Sequence, residues 1–175
     1  DYARFRPKTL EPIAVAEVVT RTEQVLRSAL RDAKTLEIEA HGTPPIIADF
    51  GRVQQALVNL VLNALEASPP GASVRVETST RTLSIPESTK FVDAYPGRFA
   101  VLSVSDAGAK VARDAESRLF EPFSTKTEGR GANLGLAGAY AIVRRCGGFI
   151  LVADREPTGA IFEAYFPAPT GEARA

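Results

Sequence analysis

The segment ALVNLVLNALEASPPGA, residues 56–72, constrains the fold more than any other. Ala56, Leu57, Leu60, Val61, Ala64 and Leu65 recur at helical spacing, and Pro69, Pro70 and Gly71 stop the helix abruptly. A helix with so broad an apolar stripe has to be buried against a sheet or other helices. Yet Gln55, Asn59 and Asn63 fall at i, i+4 and i+8 and share one polar stripe, with Glu66 three residues past Asn63. Asparagine is a mediocre helix former, better suited to caps and turns. One explanation is an ordinary solvent-facing stripe. The other is functional: two amides one turn apart offer oxygens and N–H groups that can hold a hydrated Mg²⁺ and phosphate oxygens.

The neighbouring segments predict the frame around this helix. Residues 11–30 carry apolar side chains at helical spacing, including Val15, Val18, Val19, Val25, Leu26 and Leu30. TLEIEA (35–40) alternates as a strand, TPPIIAD reads as a turn, and Asp49 is placed to cap a helix over residues 50–67. Residues 72–82 and 98–106 read as strands, separated by an exposed excursion with two prolines. A loop-rich stretch runs to about residue 133. LGLAGAYAIVRRCGG (134–148) reads as a helix with a glycine stop, and 149–167 as two strands around a Pro157/Gly159 turn. This order predicts an α/β fold with a mixed, mostly antiparallel sheet and helices on one face.

Composition removes alternatives. Lys+Arg and Asp+Glu both number 21, so bulk charge favours neither nucleic acid nor an anionic membrane. The longest apolar runs fall short of a membrane span. The single cysteine, Cys146, allows no internal disulfide, and its place at a helix end suits packing. The lone His41, in a HGTPP turn, cannot make a zinc site by itself and reads as an exposed loop residue. The chain opens on Asp1 and contains no Met, so it reads as a piece of a longer protein.

Two further stretches carry chemistry. In SVSDAGAKV, Asp106 ends an apolar strand and Gly108 follows two residues later. A carboxylate there can accept from an exocyclic amine, and the glycine lets a flat ring approach the backbone; the plain alternative is an Asp-x-Gly turn. In SRLFEPFSTKTEGRGANLGLAGAYAIV, Lys126 and Arg130 can meet phosphates, and Gly129, Gly131 and Gly135 lead into a helix N-terminus that favours an anion. Phe120 and Phe123 are spaced as anchors; the alternative is a mobile surface loop over core phenylalanines.

Together these motifs resemble the catalytic ATP-binding domain of two-component sensor histidine kinases, within the family shared with gyrase-type ATPases, Hsp90 and MutL. NLVLNALEA (59–67) resembles the asparagine box, DAGAKV (106–111) the first glycine box, LFEPFSTK (119–126) the phenylalanine box and GANLGLA (131–137) the second glycine box. The resemblance implies the Bergerat α/β sandwich. It implies ATP and Mg²⁺ as ligands, with Asn63 on the metal and Asn59 supporting phosphate or metal-bound water. Asp106 would meet the adenine amine beside Gly108, and Lys126, Arg130, Gly131, Gly135 and Leu136 would belong to the nucleotide-binding loop and helix. ARFRP near the start resembles the end of a dimerisation helix, so residues 1–10 are expected to be linker, 11–167 the domain and 168–175 a tail. The implied partners are a histidine-bearing dimerisation domain of the same protein and a response-regulator receiver domain, with no nucleic acid. The piece itself is expected to be monomeric and cytoplasmic, whether or not its parent is membrane-anchored.

Lys110 and Asn133 stand where the family places glycines. Lys110 brings a cation to the pocket edge, where it can contact phosphate or block the site; Asn133 tolerates left-handed backbone but adds bulk. Two readings follow: a kinase domain that presents the γ-phosphate to a histidine elsewhere, or a degenerate pseudokinase serving as a regulatory interaction module. Gyrase and Hsp90 relatives place a catalytic Glu four residues before the metal-binding Asn. Here Asn59 occupies that place, so water activation by this helix is not expected. His41 lacks the acidic neighbour expected of a phosphoacceptor, so the piece should not phosphorylate itself.

Overall fold

The computed structural model describes residues 9–31, 33–110 and 134–170. Its elements run β1 (Glu11–Ile13), α1 (Val15–Ser28), β2 (Thr35–Ala40), β3 (Ile46–Ala48), α2 (Phe50–Ala67), β4 (Ser73–Leu83), α3 (Ile85–Ser88), β5 (Gly97–Ser105), α4 (Leu134–Arg145), β6 (Phe149–Asp154) and β7 (Ala160–Pro167). The main sheet has five strands in the order β2-β4-β5-β7-β6. β2 and β4 are parallel, as a connection through α2 requires, and the other pairs are antiparallel. This is the mixed α/β architecture expected from the sequence.

Strand alternation sends Val74, Val76, Ala100, Leu102, Val104, Phe162, Ala164 and Phe166 to one face, where they are buried in one core with the helices. From α2 that core receives Val53, Ala56, Leu57, Leu60, Val61, Ala64 and Leu65, and from α1 Val15, Val18, Val19 and Leu26. The buried Thr22 hydroxyl donates to the Val18 carbonyl at 2.6 Å and accepts from Gln54 Nε2 at 3.1 Å, so its polarity is satisfied inside the helix contact. Asp49 caps α2 by accepting from the Arg52 amide at 2.9 Å, and the helix ends at Ser68, before the two prolines.

Three expectations change. Residues 11–13 form a strand rather than the start of α1: β1 pairs with β3 over Glu11↔Ala48 to Ile13↔Ile46, and the helix begins only after the extended Ala14. β3 itself falls in what read as a turn. The excursion between β4 and β5 is not simply exposed. Its first half is the short helix α3, closed by a Ser84/Glu87 capping box. Its second half covers the outer face of the sheet, where Phe99, Val101, Phe149 and Tyr165 form a second buried cluster. Tyr95 meets Phe99 and Phe149 edge-on at 5.3 and 5.5 Å, and its hydroxyl donates to the Gly147 carbonyl. Ile85, Phe91 and Val92 of the excursion remain exposed.

Candidate functional site

The site is built where α2, α4 and the C-terminal end of β5 converge. On α2, the Asn59 Oδ1 accepts from Gln55 Nε2 at 2.8 Å. α4 crosses at this point, and Gly138 gives the amide room: a Cβ there would lie 2.9 Å from Asn59 Nδ2. Gly135 also faces Asn59, but a Cβ there would lie 3.7 Å from the Asn59 carbonyl oxygen, an ordinary contact. One turn on, the amide nitrogen of Asn63 is buried and has no hydrogen-bond partner among the described residues. Buried amides are ordinarily paired, and the oxygen and nitrogen of an Asn exchange by a flip of the group. An unpaired amide on this stripe fits a neutral oxygen ligand for Mg²⁺, an ion that keeps several waters and takes few protein ligands.

Asp106 stands at the end of β5, fully buried. Its Oδ1 accepts from the Gly108 amide at 2.9 Å and from the Ala160 amide at 3.2 Å, while its own amide donates to the Ala160 carbonyl at 2.9 Å. The carboxylate is therefore fixed in plane by backbone donors from two different segments. The turn is also docked on the end of α2. The Ala107 amide donates to Ser68 Oγ at 3.0 Å, and a Cβ at Gly108 would lie 2.4 Å from the Ala67 carbonyl oxygen. Asp106 is thus tied to the helix that carries Asn63 by a backbone approach that only glycine permits.

Lys110 is held by the β6–β7 turn: its Nζ lies 2.7 Å from Glu156 Oε1. The hydrogen bond to Glu156 raises the ammonium above its ordinary pKa. Burial pushes the Cys146 thiol up as well, with Asp49 adding to the effect, the direction opposite to that of an activated thiol. Leu136 is a core residue, 1% exposed. Glu66 is exposed on α2. Lys126, Arg130, Gly131 and Asn133, with Phe120, Phe123 and Gly129, lie outside the described residues. His41 lies beside Glu39 and Glu77, their ligating atoms within 4.8 Å of one another, but the Arg75 guanidinium already pairs with both carboxylates, at 2.8 and 3.7 Å.

Sequence reasoning missed Ser68, Arg155, Glu156 and Thr158, which contact the Asp106 turn from 39 to 50 residues away in the chain. No short-range pattern announces such partners; only the turn signal at Pro157 and Gly159 marked the segment that holds three of them.

Comparison with known proteins bears on the family and the fold. The profile of the histidine kinase-, DNA gyrase B- and HSP90-like ATPases matches residues 48–170. The sensor kinase CckA of Brucella abortus (strain 2308) is 30% identical over 175 residues, which is 97% of this chain and 18% of that protein. The sensor histidine kinase ZraS of Escherichia coli (strain K12) is 34% identical over 161 residues, or 89% of this chain and 31% of that one. Among solved structures, full-length ShkA in complex with AMPPNP superposes with a TM-score of 0.66 at 28% identity, covering 91% of this chain and 32% of that one. The mycobacterial sensor histidine kinase MprB gives 0.65 at 27% identity, covering 91% and 99%. The chain therefore spans less than a third of the length of CckA or ZraS.

Proposed function

The chain belongs to the histidine kinase-, DNA gyrase B- and HSP90-like ATPase family, as a catalytic domain of the sensor-histidine-kinase type, and we propose that it supplies the γ-phosphate of Mg·ATP to a histidine on a separate dimerisation domain. The observation that carries this reading is the coupling of two features. Asp106 is a buried carboxylate held by two backbone amides, and its turn is docked on α2, the helix that presents the unpaired Asn63 amide.

The chemistry asked of such a domain is positioning. Phosphoryl transfer proceeds through a loose transition state, so orientation and charge neutralisation dominate and no covalent step falls to the protein. Asp106 would accept the exocyclic amine of adenine and fix the base. Asn63 would hold the metal–phosphate end of the nucleotide. A bound Mg²⁺ would supply the neutralisation of phosphate charge. Among the described residues of α2, the position where gyrase-type relatives carry their catalytic Glu is Asn59, an amide engaged with Gln55 and packed under α4, so water activation is not expected from it. A phosphoacceptor histidine of the dimerisation domain and, beyond it, a receiver-domain aspartate would complete the relay.

Nothing among the described residues or in the relatives favours the pseudokinase reading. Of the two residues that raised it, Lys110 is engaged by Glu156, and Asn133 lies outside the described residues. The Lys110→Gly variant is accordingly expected to change Mg·ADP affinity by less than about threefold, because exposed ion pairs contribute little. The test of function is calorimetric titration with Mg·ADP, followed by mixing with a histidine-bearing dimerisation domain and γ-labelled ATP. Micromolar binding and acid-labile label on the partner support the proposal. No binding at millimolar nucleotide, with recovery in Lys110→Gly, would overturn it in favour of a degenerate domain.

A further inference from the structure

We propose that the β6–β7 turn, Arg155 to Gly159, is the positioning element of the base-reading carboxylate, with Arg155 as its principal residue. This inference rests on the nucleotide reading above and adds to it a specificity device that lies outside the sequence boxes.

The β4–β5 ladder ends at the pair Arg75↔Ser105. The carbonyls of Ser73 and Asp106 lie past that pair, and backbone carbonyls there still need partners. Arg155 Nη1 donates to both, each at 3.2 Å, bridging the open end of the ladder. Donors on a guanidinium make charge-assisted hydrogen bonds, stronger than those between neutral groups. The rest of the turn reinforces the same few residues. Thr158 Oγ1 donates to the Gly108 carbonyl at 2.7 Å, and the Ala160 amide donates to Asp106 Oδ1. Gly159, at φ +114°, passes so near that a Cβ would lie 2.0 Å from the Asp106 carbonyl oxygen. Lys110 and Glu156 close an outer strap at 2.7 Å, which is solvent-exposed and contributes least. The turn itself is closed by the Arg155 amide on the Gly159 carbonyl at 3.0 Å.

The carboxylate plane of Asp106 thus depends on the turn beneath it. An acceptor displaced by a fraction of an ångström loses most of its selectivity for the amine it reads, because hydrogen-bond strength falls steeply with geometry. Arg155 Nη1 is spent on the Ser73 and Asp106 carbonyls, so its effect on the base runs through Asp106.

The test compares two ligands on the intact chain: Mg·ADP and the purine riboside diphosphate that lacks the 6-amino group. Arg155→Met keeps the aliphatic stem and removes the donors. It is expected to weaken ADP about tenfold, the loss that follows when one charge-assisted hydrogen-bonding group is removed. The purine riboside diphosphate should lose less than about twofold, because the contact that Arg155 positions is absent from it. Arg155→Lys should restore ADP binding to within a few-fold. Thr158→Val, a milder change, should show the same ligand pattern at smaller amplitude and serves where Arg155→Met fails to fold. Unchanged ADP affinity, or equal losses for both ligands, overturns the inference. A wild-type chain that binds neither ligand overturns the nucleotide reading and this inference with it.

Discussion

Asp106→Asn is expected to weaken Mg·ADP binding by at least about 100-fold while leaving the melting temperature within a few degrees of wild type. The change is isosteric. The Asn carbonyl can take the place of Oδ1 and keep the hydrogen bonds from the Gly108 and Ala160 amides, so the turn retains its backbone ties. The amide N–H₂ then stands where the other carboxylate oxygen was. It meets the base amine donor to donor, and the charged acceptor is gone. Hydrogen bonds to charged groups contribute about 1.5–3 kcal/mol, and a buried donor left unpaired adds about 1–3 kcal/mol, so the sum spans about two to four decades of affinity. Calorimetry of wild type and variant measures the loss, and thermal melts of the ligand-free proteins show that the fold survives. An Asp106→Asn protein that binds ADP as wild type does would show that this carboxylate does not read the base.

What the sequence disclosed about this site follows the range of the interactions. α2 was legible with its cap and its stop because a 3.6-residue period, Asp49 and two prolines are local signals. The central strands were legible because one covered face enforces alternation over many residues. β1 and β3 were not: each has three residues, too few to carry a period, and each exists only through pairing with the other. The excursion misled for a related reason. Its prolines and polar residues describe a surface segment, whereas the Tyr95 ring finds its partners on β5 and β6.

The chemistry divides the same way. Asn63 and Asp106 were legible as unusual residues in apolar elements. The reason Asp106 is rigid was not legible, because Arg155 and Thr158 reach it across about fifty residues. Lys110 shows the limit most clearly. As a lone substitution for glycine it suggested a phosphate contact or a blocked pocket, and the structure gives the cation a partner in Glu156 that neither alternative contained. Leu136 lies within a recognisable box, yet its side chain serves the core.

Gly108→Ala is expected to cost about 3 kcal/mol of stability, a fall of roughly 10 °C in melting temperature for a chain of this size, and to impair nucleotide binding in the protein that still folds. Sequence reasoning valued this glycine for the approach of a flat ring. The protein side supplies an independent demand. An added Cβ would lie 2.4 Å from the Ala67 carbonyl oxygen and 3.0 Å from its carbon. Both are backbone atoms, so no rotamer change relieves the clash; the turn and the end of α2 have to part. Parting them stretches the 3.0 Å bond from the Ala107 amide to Ser68 Oγ and moves the Gly108 amide away from Asp106 Oδ1. Stability and base reading therefore fall together, which separates this variant from Asp106→Asn, where binding falls alone. Gly42→Ala is the control. Its Cβ would meet nothing within 4 Å and its φ lies outside the left-handed range, so stability should stay within about 0.5 kcal/mol of wild type. Urea denaturation with constant m-values measures both. If Gly108→Ala were as stable as the Gly42→Ala control, the close docking of the Asp106 turn on α2 would be wrong, and with it the coupling between the carboxylate and Asn63 on which the functional reading stands.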